Sequence, residues 1–321
     1  MRTYVLRRLL ALVPLLLGIS ALTFLLLHLA PGDFLAIHGE NPAISPERLE
    51  AMRRGFGLDR PVWEQYALYL RNILHGDFGQ SFSRHQPVFA VLREGLLNTL
   101  LLAVAAAVVT WGLAIPLGVI AAVRQHSWVD RGLSVLAFAW LSVPEVLSAL
   151  LLLMLAAGTG WFPVGGMRSV GHDELSAAGR ALDVLHHLAL PALAVGLVPL
   201  AGRMRQMRAS LLDVLRLDYV TTARAKGLDE RSVVFRHALR NALNPMITLF
   251  GFTLGSLVSG SFVAEVVFAW PGLGRITLEA IQTQDQYLVL GAVLMASTVL
   301  VLGNLAADLM LAAADPRIAH E

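Results

Sequence analysis

Cysteine is absent from the 321 residues. That removes disulfides, thiolate metal ligands and a Cys nucleophile, although it does not fix a redox compartment. Lysine is nearly absent: Lys226 is the single lysine, and it stands between Ala225 and Gly227. A phosphate-binding loop requires G-x-x-x-x-G-K-[ST], so the chain cannot bind ATP in that way, and any ATP-driven activity requires a separate energy-supplying subunit. Charge is scarce, at 15% of residues against about 25% in soluble domains. The net charge of +2 is too small to argue for nucleic acid. His-Glu-x-x-His and Gly-x-Ser-x-Gly are missing. His186 and His187 are adjacent, and on a helix they point about 100° apart, a poor metal pair. An intramembrane enzyme therefore has no motif to stand on.

What the chain has is apolar length: 56% of it is hydrophobic. A spanning helix needs about 20 mostly apolar residues. Six stretches qualify: Leu9–Leu29, Leu96–Val123, Leu133–Ala157, His187–Ala201, Met246–Phe268 and Tyr287–Ala313. The fourth is the weakest, being short and broken by Pro191, Gly196 and Pro199. The first follows Arg2, Arg7 and Arg8 as a signal peptide would, but its run exceeds the usual 7–15 apolar residues, roughly. The only cleavage-like site, before Pro31, has His28 where a small residue belongs. The reading is an uncleaved first span.

Six spans put both termini on one side. With that side as cytoplasm, 15 Lys and Arg lie inside and 10 outside, seven of the ten between Arg48 and Arg93. That loop exceeds the roughly 60-residue reach of the positive-inside rule and is discounted. The remaining 15 against three place both termini in the cytoplasm. The expected fold is thus an all-α, multi-pass membrane protein. Its expected divisions are 1–94 (first span and a long extracytoplasmic loop), 95–313 (a transmembrane domain with a cytoplasmic loop at about 203–244) and a tail, 314–321.

The extracytoplasmic loop predicts two helices. "SPERLEAMRRGFG" has Ser45 as N-cap and Pro46 at the first helical position. "RPVWEQYALYLRNILHG" starts at Pro61 and stops at Gly76, with Trp63, Tyr66, Leu70 and Leu74 at helical spacing on one apolar face. Such a loop serves as a helical cap on the bundle, as a docking surface for an extracytoplasmic partner, or as both.

The cytoplasmic stretch "DYVTTARAKGLDERSVVFRHALRNALNP", Asp218–Pro245, is rich in charge for so apolar a chain, with eight Asp, Glu, Lys and Arg. Asp218 is a good N-cap for a two-turn helix, Tyr219–Lys226, and Gly227 suits the left-handed residue that ends it. Asp229 can cap a second helix whose stripe is Val234, Phe235, Ala238, Leu239 and Ala242. One reading is a solvated connector. A DNA-binding helix-turn-helix is excluded because both ends are pinned to spans, whereas a major groove must admit a whole helix. The third reading is a rigid coupler that fits a cleft in a soluble partner.

This stretch resembles the cytoplasmic loop of binding-protein-dependent ABC importer permeases. The family's general pattern is Glu-Ala-Ala, three residues, Gly, nine residues, Ile-x-Leu-Pro. Aligned on Gly227, this chain has Thr221, Thr222 and Ala223, then His237, Ala238, Leu239 and Arg240. Only Ala223, Gly227 and Leu239 match. The fuller string "DYVTTARAKGL…HALRNALNP" is similar to the dipeptide/oligopeptide/nickel branch. So are "RRLLALVPLLLGIS", "LAPGD", "GLDRPVWEQY", "GDFGQSF", "GWFPVGG", "FAWPGLGR" and "DPRI", in order over essentially the whole chain. The resemblance implies a type I ABC importer permease fold in the cell inner membrane. It also implies pairing with a second homologous permease, two cytoplasmic ATPases using ATP and Mg, and an extracytoplasmic substrate-binding protein. No cofactor is implied on this chain. Asp218, Tyr219, Thr221, Thr222, Ala223, Arg224, Lys226 and Gly227 would form the ATPase-coupling segment, with the small Ala223 facing the ATPase. The substrates implied are dipeptides or oligopeptides; nickel, glutathione or another small solute are the alternatives. The ten His show no spaced ligand set.

Three further polar residues interrupt the apolar spans. Intramembrane acids are functional candidates by default. Glu145, after Pro144 near the middle of the third expected span, is a wall of the pathway, a latch to a second permease or a buried carboxyl bonded to a neighbouring helix. Asn304 and Asp308, one turn apart near the inner end of the sixth, fit a helix-interface role. Trp161, Phe162 and Pro163 suit an interfacial anchor, and Trp270-Pro271-Gly272 a turn or a gate.

Overall fold

The structure, a computed structural model, describes residues 2–29, 47, 50, 54 and 59–314. Of the first expected loop helix, near Ser45–Gly57, only Glu47, Glu50 and Arg54 are described, each in helical backbone, and the tail after 314 lies outside the described residues. No strand occurs among the described residues; Gln80 and Pro87 form an isolated bridge. In chain order the main helices are α1 Arg2–Leu29, α2 Val62–Leu74, α3 Val88–Val123, α4 Trp128–Leu141, α5 Glu145–Thr159, α6 Ala177–Leu215, α7 Asp218–Ala225, α8 Asn244–Gly260, α9 Phe262–Val267, α10 Leu273–Gln282 and α11 Gln286–Ala314.

Among the described residues, α1, α3, α6 and α11 are each long and apolar enough to cross a membrane. Leu10, Leu22 and Leu29 on α1 are more than half exposed, as expected where the solvent is lipid. The expected third span is instead two helices, α4 and α5, bent by 108°. Pro144 explains the break: it sits at φ −54, ψ 143 and disfavours helical backbone in the residue before it. The expected fifth span is likewise divided, into α8 of 17 residues and α9 of 6. The stretch read as the weakest span is part of the longest helix. α6 has 39 residues and, at 1.5 Å per residue, spans about 58 Å, well beyond the roughly 30 Å hydrocarbon core. Its Pro191 and Gly196 are buried, and packing sustains the helix through them.

The chain forms two compact units, Met1–Asn98 with Pro271–Val301, and Thr99–Trp270 with Leu302–Glu321. In the second, helices pack through small residues: Ala106, Ala114, Ala121, Ala149, Ala156 and Ala194 are completely buried. Without a hydrophobic drive between helices in lipid, close backbone approach supplies the packing. Gly196 shows how tight the α3–α6 crossing is, since a Cβ there would lie 3.0 Å from the Ala106 carbonyl oxygen. Thr110 Oγ1 donates to the Gly196 carbonyl at 2.9 Å across the same crossing. Ser127 caps α4, its hydroxyl accepting from Asp130 N at 3.3 Å. Asp130 itself, 3% exposed, takes both arms of the Arg208 guanidinium on α6 at 2.6 and 2.8 Å.

In the first unit, Phe24 of α1 packs on Tyr66 and Tyr69 of α2, joined by Leu70, Ile73 and Leu290. Ser20 Oγ and Tyr66 OH are hydrogen-bonded at 2.9 Å. α2 starts and stops where expected, after Pro61 and before Gly76, which has φ +80. Its buried face differs from the expected one: Trp63 is 73% and Leu74 86% exposed, while Tyr69 and Ile73 take their places in the cluster. The segment after α2 is fixed by Asp285, which is fully buried. Its Oδ2 accepts from Ser81 Oγ at 2.6 Å, Ser83 Oγ at 2.8 Å and Ser83 N at 2.9 Å.

Candidate functional site

The stretch after α6 is built as a short helix held by one edge. Leu217 occupies the N-cap position and Asp218 is the first residue of α7, so the helix starts one residue earlier than expected. It still places a carboxylate in the first turn, where the helix dipole favours it. Val220 and Ala223, three apart, form the inner edge at 0% and 8% exposure. They join a cluster with Val233, Ala238 and Leu211. Ala223 was expected to face a partner; it is instead buried within this chain, because its spacing from Val220 puts both on one side of the helix. The outward face carries Asp218, Tyr219, Thr221, Thr222, Arg224 and Lys226, all exposed.

Gly227 ends α7 with φ +77, the left-handed conformation expected for it. Its N–H donates to the Arg224 carbonyl at 2.9 Å, and Leu228 N to the Ala223 carbonyl at 3.4 Å. Asp229 then caps the next turn, accepting from Arg231 N at 3.1 Å. That second helical stretch is Glu230–Ser232, a π-helical Val233–Ala238 and Leu239–Ala242. Val233, Val234, Ala238 and Ala242 are buried. Phe235, expected in the stripe, is 55% exposed. The π winding explains the difference: i→i+5 bonding puts more residues in each turn than the assumed 3.6 period and so rotates less per residue, and Val233 enters the stripe while Phe235 leaves it.

Polar ties fix the two stretches to one another. Arg224 grips Glu230 in a fork, Nη2 to Oε1 at 2.6 Å and Nε to Oε2 at 3.0 Å. This guanidinium holds the Glu230 carboxyl below the usual carboxylate range. Asn241 Nδ2 donates to Tyr219 OH at 2.8 Å. Ser210 Oγ, on α6, donates to the Ala242 carbonyl at 2.8 Å. The result is a two-turn knob whose inner edge is locked and whose outer edge is polar.

The other sequence candidates stand elsewhere. Glu145 is the first residue of α5, at the 108° bend midway along the expected third span. Its Oε1 is buried with no hydrogen-bond partner. Asn304 is exposed on α11; Asp308 lies on the same helix, and its side chain is outside the described residues. No group of three potential metal ligands occurs among the described residues.

Sequence reasoning missed the buried acids Asp130, Asp285 and Glu265. Glu265 on α9 is fully buried and accepts from Thr99 Oγ1 at 2.7 Å and Ser261 Oγ at 2.9 Å. A lone carboxylate in "FVAEVVF" carried the same signal that marked Glu145. Asp183 was missed too. It accepts from Ser169 N at 3.0 Å, bonds His172 Nδ1 at 2.6 Å and also bonds the Ser169 hydroxyl, tying the segment before α6 to that helix.

Comparison with known proteins identifies the family. The family described as "Binding-protein-dependent transport system inner membrane component" matches residues 114–320. Its N-terminal counterpart, "Binding-prot-dependent transport system membrane comp, N-term", matches residues 1–103. The chain is 38% identical to the oligopeptide transport system permease protein AppB of Bacillus subtilis, over 100% of both chains. It is equally 38% identical to the dipeptide transport system permease protein DppB of Escherichia coli strain K12, again over 100% of both. The di/tripeptide transport system permease protein DppB of Pseudomonas aeruginosa is 36% identical over the same full coverage. Among solved structures, one titled for inward-facing conformations of the MetNI methionine ABC transporter aligns at TM-score 0.53 and 19% identity. It covers 71% of this chain and 97% of the other, and shares the fold. The chain is an all-helical, multi-pass inner membrane component and belongs to the binding-protein-dependent transport system permeases.

Proposed function

We propose that this chain is the permease subunit of an ATP-driven importer of dipeptides or oligopeptides. The observation that carries this reading is end-to-end similarity to permeases named for peptide transport in two distant bacteria. The chain is a transport subunit and not an enzyme. With a second, homologous permease it forms the pathway through the bilayer. Two cytoplasmic ATPases supply the energy from ATP and Mg, and an extracytoplasmic binding protein delivers the peptide. Six spans put both termini in the cytoplasm, with the division at about residue 95 separating the first span and its loop from the transmembrane domain.

On this reading Asp218–Gly227 is the coupling segment. A helix of two turns is about 12 Å long, too short for a span and suited to a cleft. Its inner edge is buried in this subunit, so force applied to Tyr219, Thr222 or Lys226 is carried into α6 through Val220, Ala223 and Ser210. Closure of the ATPase dimer would move this knob and turn the pathway from inward- to outward-facing; hydrolysis resets it. Glu145, at the bend between α4 and α5, is a pathway or permease-interface residue. Its unpartnered buried oxygen supports a role completed by a group outside this chain. Asn304 and Asp308 are assigned to a helix interface.

The test is uptake into vesicles carrying the complete complex. Labelled di- and tripeptides should accumulate only with ATP, and unlabelled peptide should compete where nickel and glutathione do not. Nickel or glutathione uptake with no peptide uptake would overturn the substrate assignment.

A further inference from the structure

The inner end of α3 and the helical stretch after α7 enclose a groove that the coupling reading leaves unused. It has a volume of about 520 Å³ and lies within the second unit. Val119, Ile120 and Val123 of α3 line it from one side, and Val234 and Phe235 from the other. Three of these side chains stand open: Ile120 is 41%, Val123 49% and Phe235 55% exposed. In water such a patch would be a liability. On the last turns of a spanning helix the solvent is acyl chain, which exposed apolar side chains suit.

The depth of the groove is marked independently. The turn after α3 leads to Trp128, which is 84% exposed, with the Arg131 guanidinium 5.6 Å from its ring centroid. An exposed tryptophan backed by arginine settles where hydrocarbon meets headgroups. Arg124 is the first residue after α3, four residues before Trp128, where the apolar wall gives way to that boundary.

The charge of the groove is cationic. Arg124 and Arg231 line it together with one acid, Glu230. Glu230 is already held by both arms of Arg224, at 2.6 and 3.0 Å. Among the described residues neither Arg124 nor Arg231 makes an ion pair. Asp229, next to Glu230, spends Oδ2 on the Arg231 N–H at 3.1 Å and lines a neighbouring recess with Ser232 and Arg236. An apolar trough with two unpaired guanidiniums suits an amphiphile with a phosphate head, since a guanidinium holds phosphate oxygens by paired N–H donors.

We propose that this groove binds an anionic phospholipid of the inner leaflet, its acyl chain along Ile120, Val123 and Phe235 and its phosphate held by Arg124 and Arg231. Basic recesses between membrane helices on the cytoplasmic side select such headgroups. The proposal rests on the importer reading for its side of the membrane, which makes the inner end of α3 cytoplasmic. A soluble ATPase is the competing occupant. Its seat on that reading is the polar face of α7, whereas the groove is walled by aliphatic side chains that belong in part to the spanning run of α3.

The test uses the complete complex in vesicles of zwitterionic lipid with a trace of phosphatidylglycerol that carries a photoreactive acyl chain. Crosslinked peptides are identified by mass spectrometry. Label should appear within residues 119–124 and 231–235, and a zwitterionic lipid with the same photoreactive chain should label them less. Charge reversal, Arg124→Glu with Arg231→Glu, should lower the phosphatidylglycerol label about fivefold or more. Lysine at both positions should keep most of it. The neutral pair, Arg124→Gln with Arg231→Gln, should show the same fall, which keeps the test open if the reversed pair does not assemble. A smaller fall in the pair that assembles would overturn the site. So would equal labelling by the zwitterionic lipid, which would make the contact an annular one, or displacement of the label by excess inorganic phosphate. Absence of label from the complete complex would also overturn it and give the groove to the ATPase. Orientation is checked separately: Gln125→Cys, at an exposed position in a chain without cysteine, should react with an impermeant thiol reagent from the cytoplasmic side alone. Reaction from the other side would count against the importer reading, with the lipid label still deciding the groove.

Discussion

Replacing Gly227 tests the coupling segment at its most constrained point. The residue has φ +77, and a Cβ built on it would meet no atom within 4 Å. Space is therefore not the issue; the backbone conformation is. An L-residue held in the left-handed region costs about 1–2 kcal/mol, and a β-branched one more. The chain can escape the strain only by rotating out of that region. Escape would break the bonds from Gly227 N to the Arg224 carbonyl and from Leu228 N to the Ala223 carbonyl, at 2.9 and 3.4 Å. It would also swing Asp229 and the Glu230 half of the Arg224 fork. A strain of about 1.4 kcal/mol shifts the balance between docked and misplaced geometries about tenfold. Gly227→Val should therefore lower peptide uptake by roughly an order of magnitude at unchanged abundance in the membrane, because the residue lies outside every span. Gly227→Asn should retain most activity, since Asn visits the left-handed region readily. The assay is ATP-dependent uptake in vesicles, normalised to the amount of subunit. Equal uptake by the Val and Asn variants would refute the argument that the positive φ sets the geometry of the knob.

Other expectations follow from individual contacts. Ala223→Glu would bury a carboxylate without a partner at a cost of roughly 2–7 kcal/mol, so it should lower the thermal stability of the purified subunit. Thr222→Glu, on the exposed face, should leave stability intact yet weaken retention of the ATPase on co-purification. Gly118→Ala should destabilise by about 1–3 kcal/mol in thermal melts, because the new Cβ would lie 2.7 Å from the Met204 carbonyl oxygen, backbone that cannot step aside. Glu230 has a folded-state pKa below its unfolded value, so its contribution is present above the ordinary carboxylate range and is lost as pH falls through and below it. With the two side chains 40% and 57% exposed, Glu230→Gln should cost under about 1 kcal/mol at neutral pH, read from the same melts.

The parts of the structure that were legible in the sequence are those governed by local rules. α1, α3 and α11 followed from uninterrupted apolar length. α7 followed from a two-turn pattern closed by Gly227, and α2 from Pro61 and Gly76. The parts that were not legible depend on what lies across from a residue. Pro191 and Pro199 marked a weak span by composition, yet neighbouring helices carry α6 through both. Pro144 looked equally tolerable, and there the chain breaks by 108°. Spacing alone offered Trp63 and Leu74 as a buried face of α2, but Phe24 and Leu290 select Tyr69 and Ile73. At the candidate site the cap, the stop and the exposed polar edge were readable. The inward direction of Ala223 was not, because a small residue reads equally well as a partner contact and as a tight fit against Val233 and Ala238.

The central claim is that the outward face of α7 is the seat of the ATPase. A chain without cysteine permits a direct measurement: single cysteines at Thr222 and, as a control far along the chain, at Arg168, each combined with cysteines placed along the ATPase surface in the complete complex. Thr222→Cys should form a crosslink, with a yield that changes between ATP-bound and nucleotide-free states, and Arg168→Cys should form none. A complex that transports peptide yet gives no crosslink from Thr222, Tyr219 or Lys226 to any ATPase position would contradict the account.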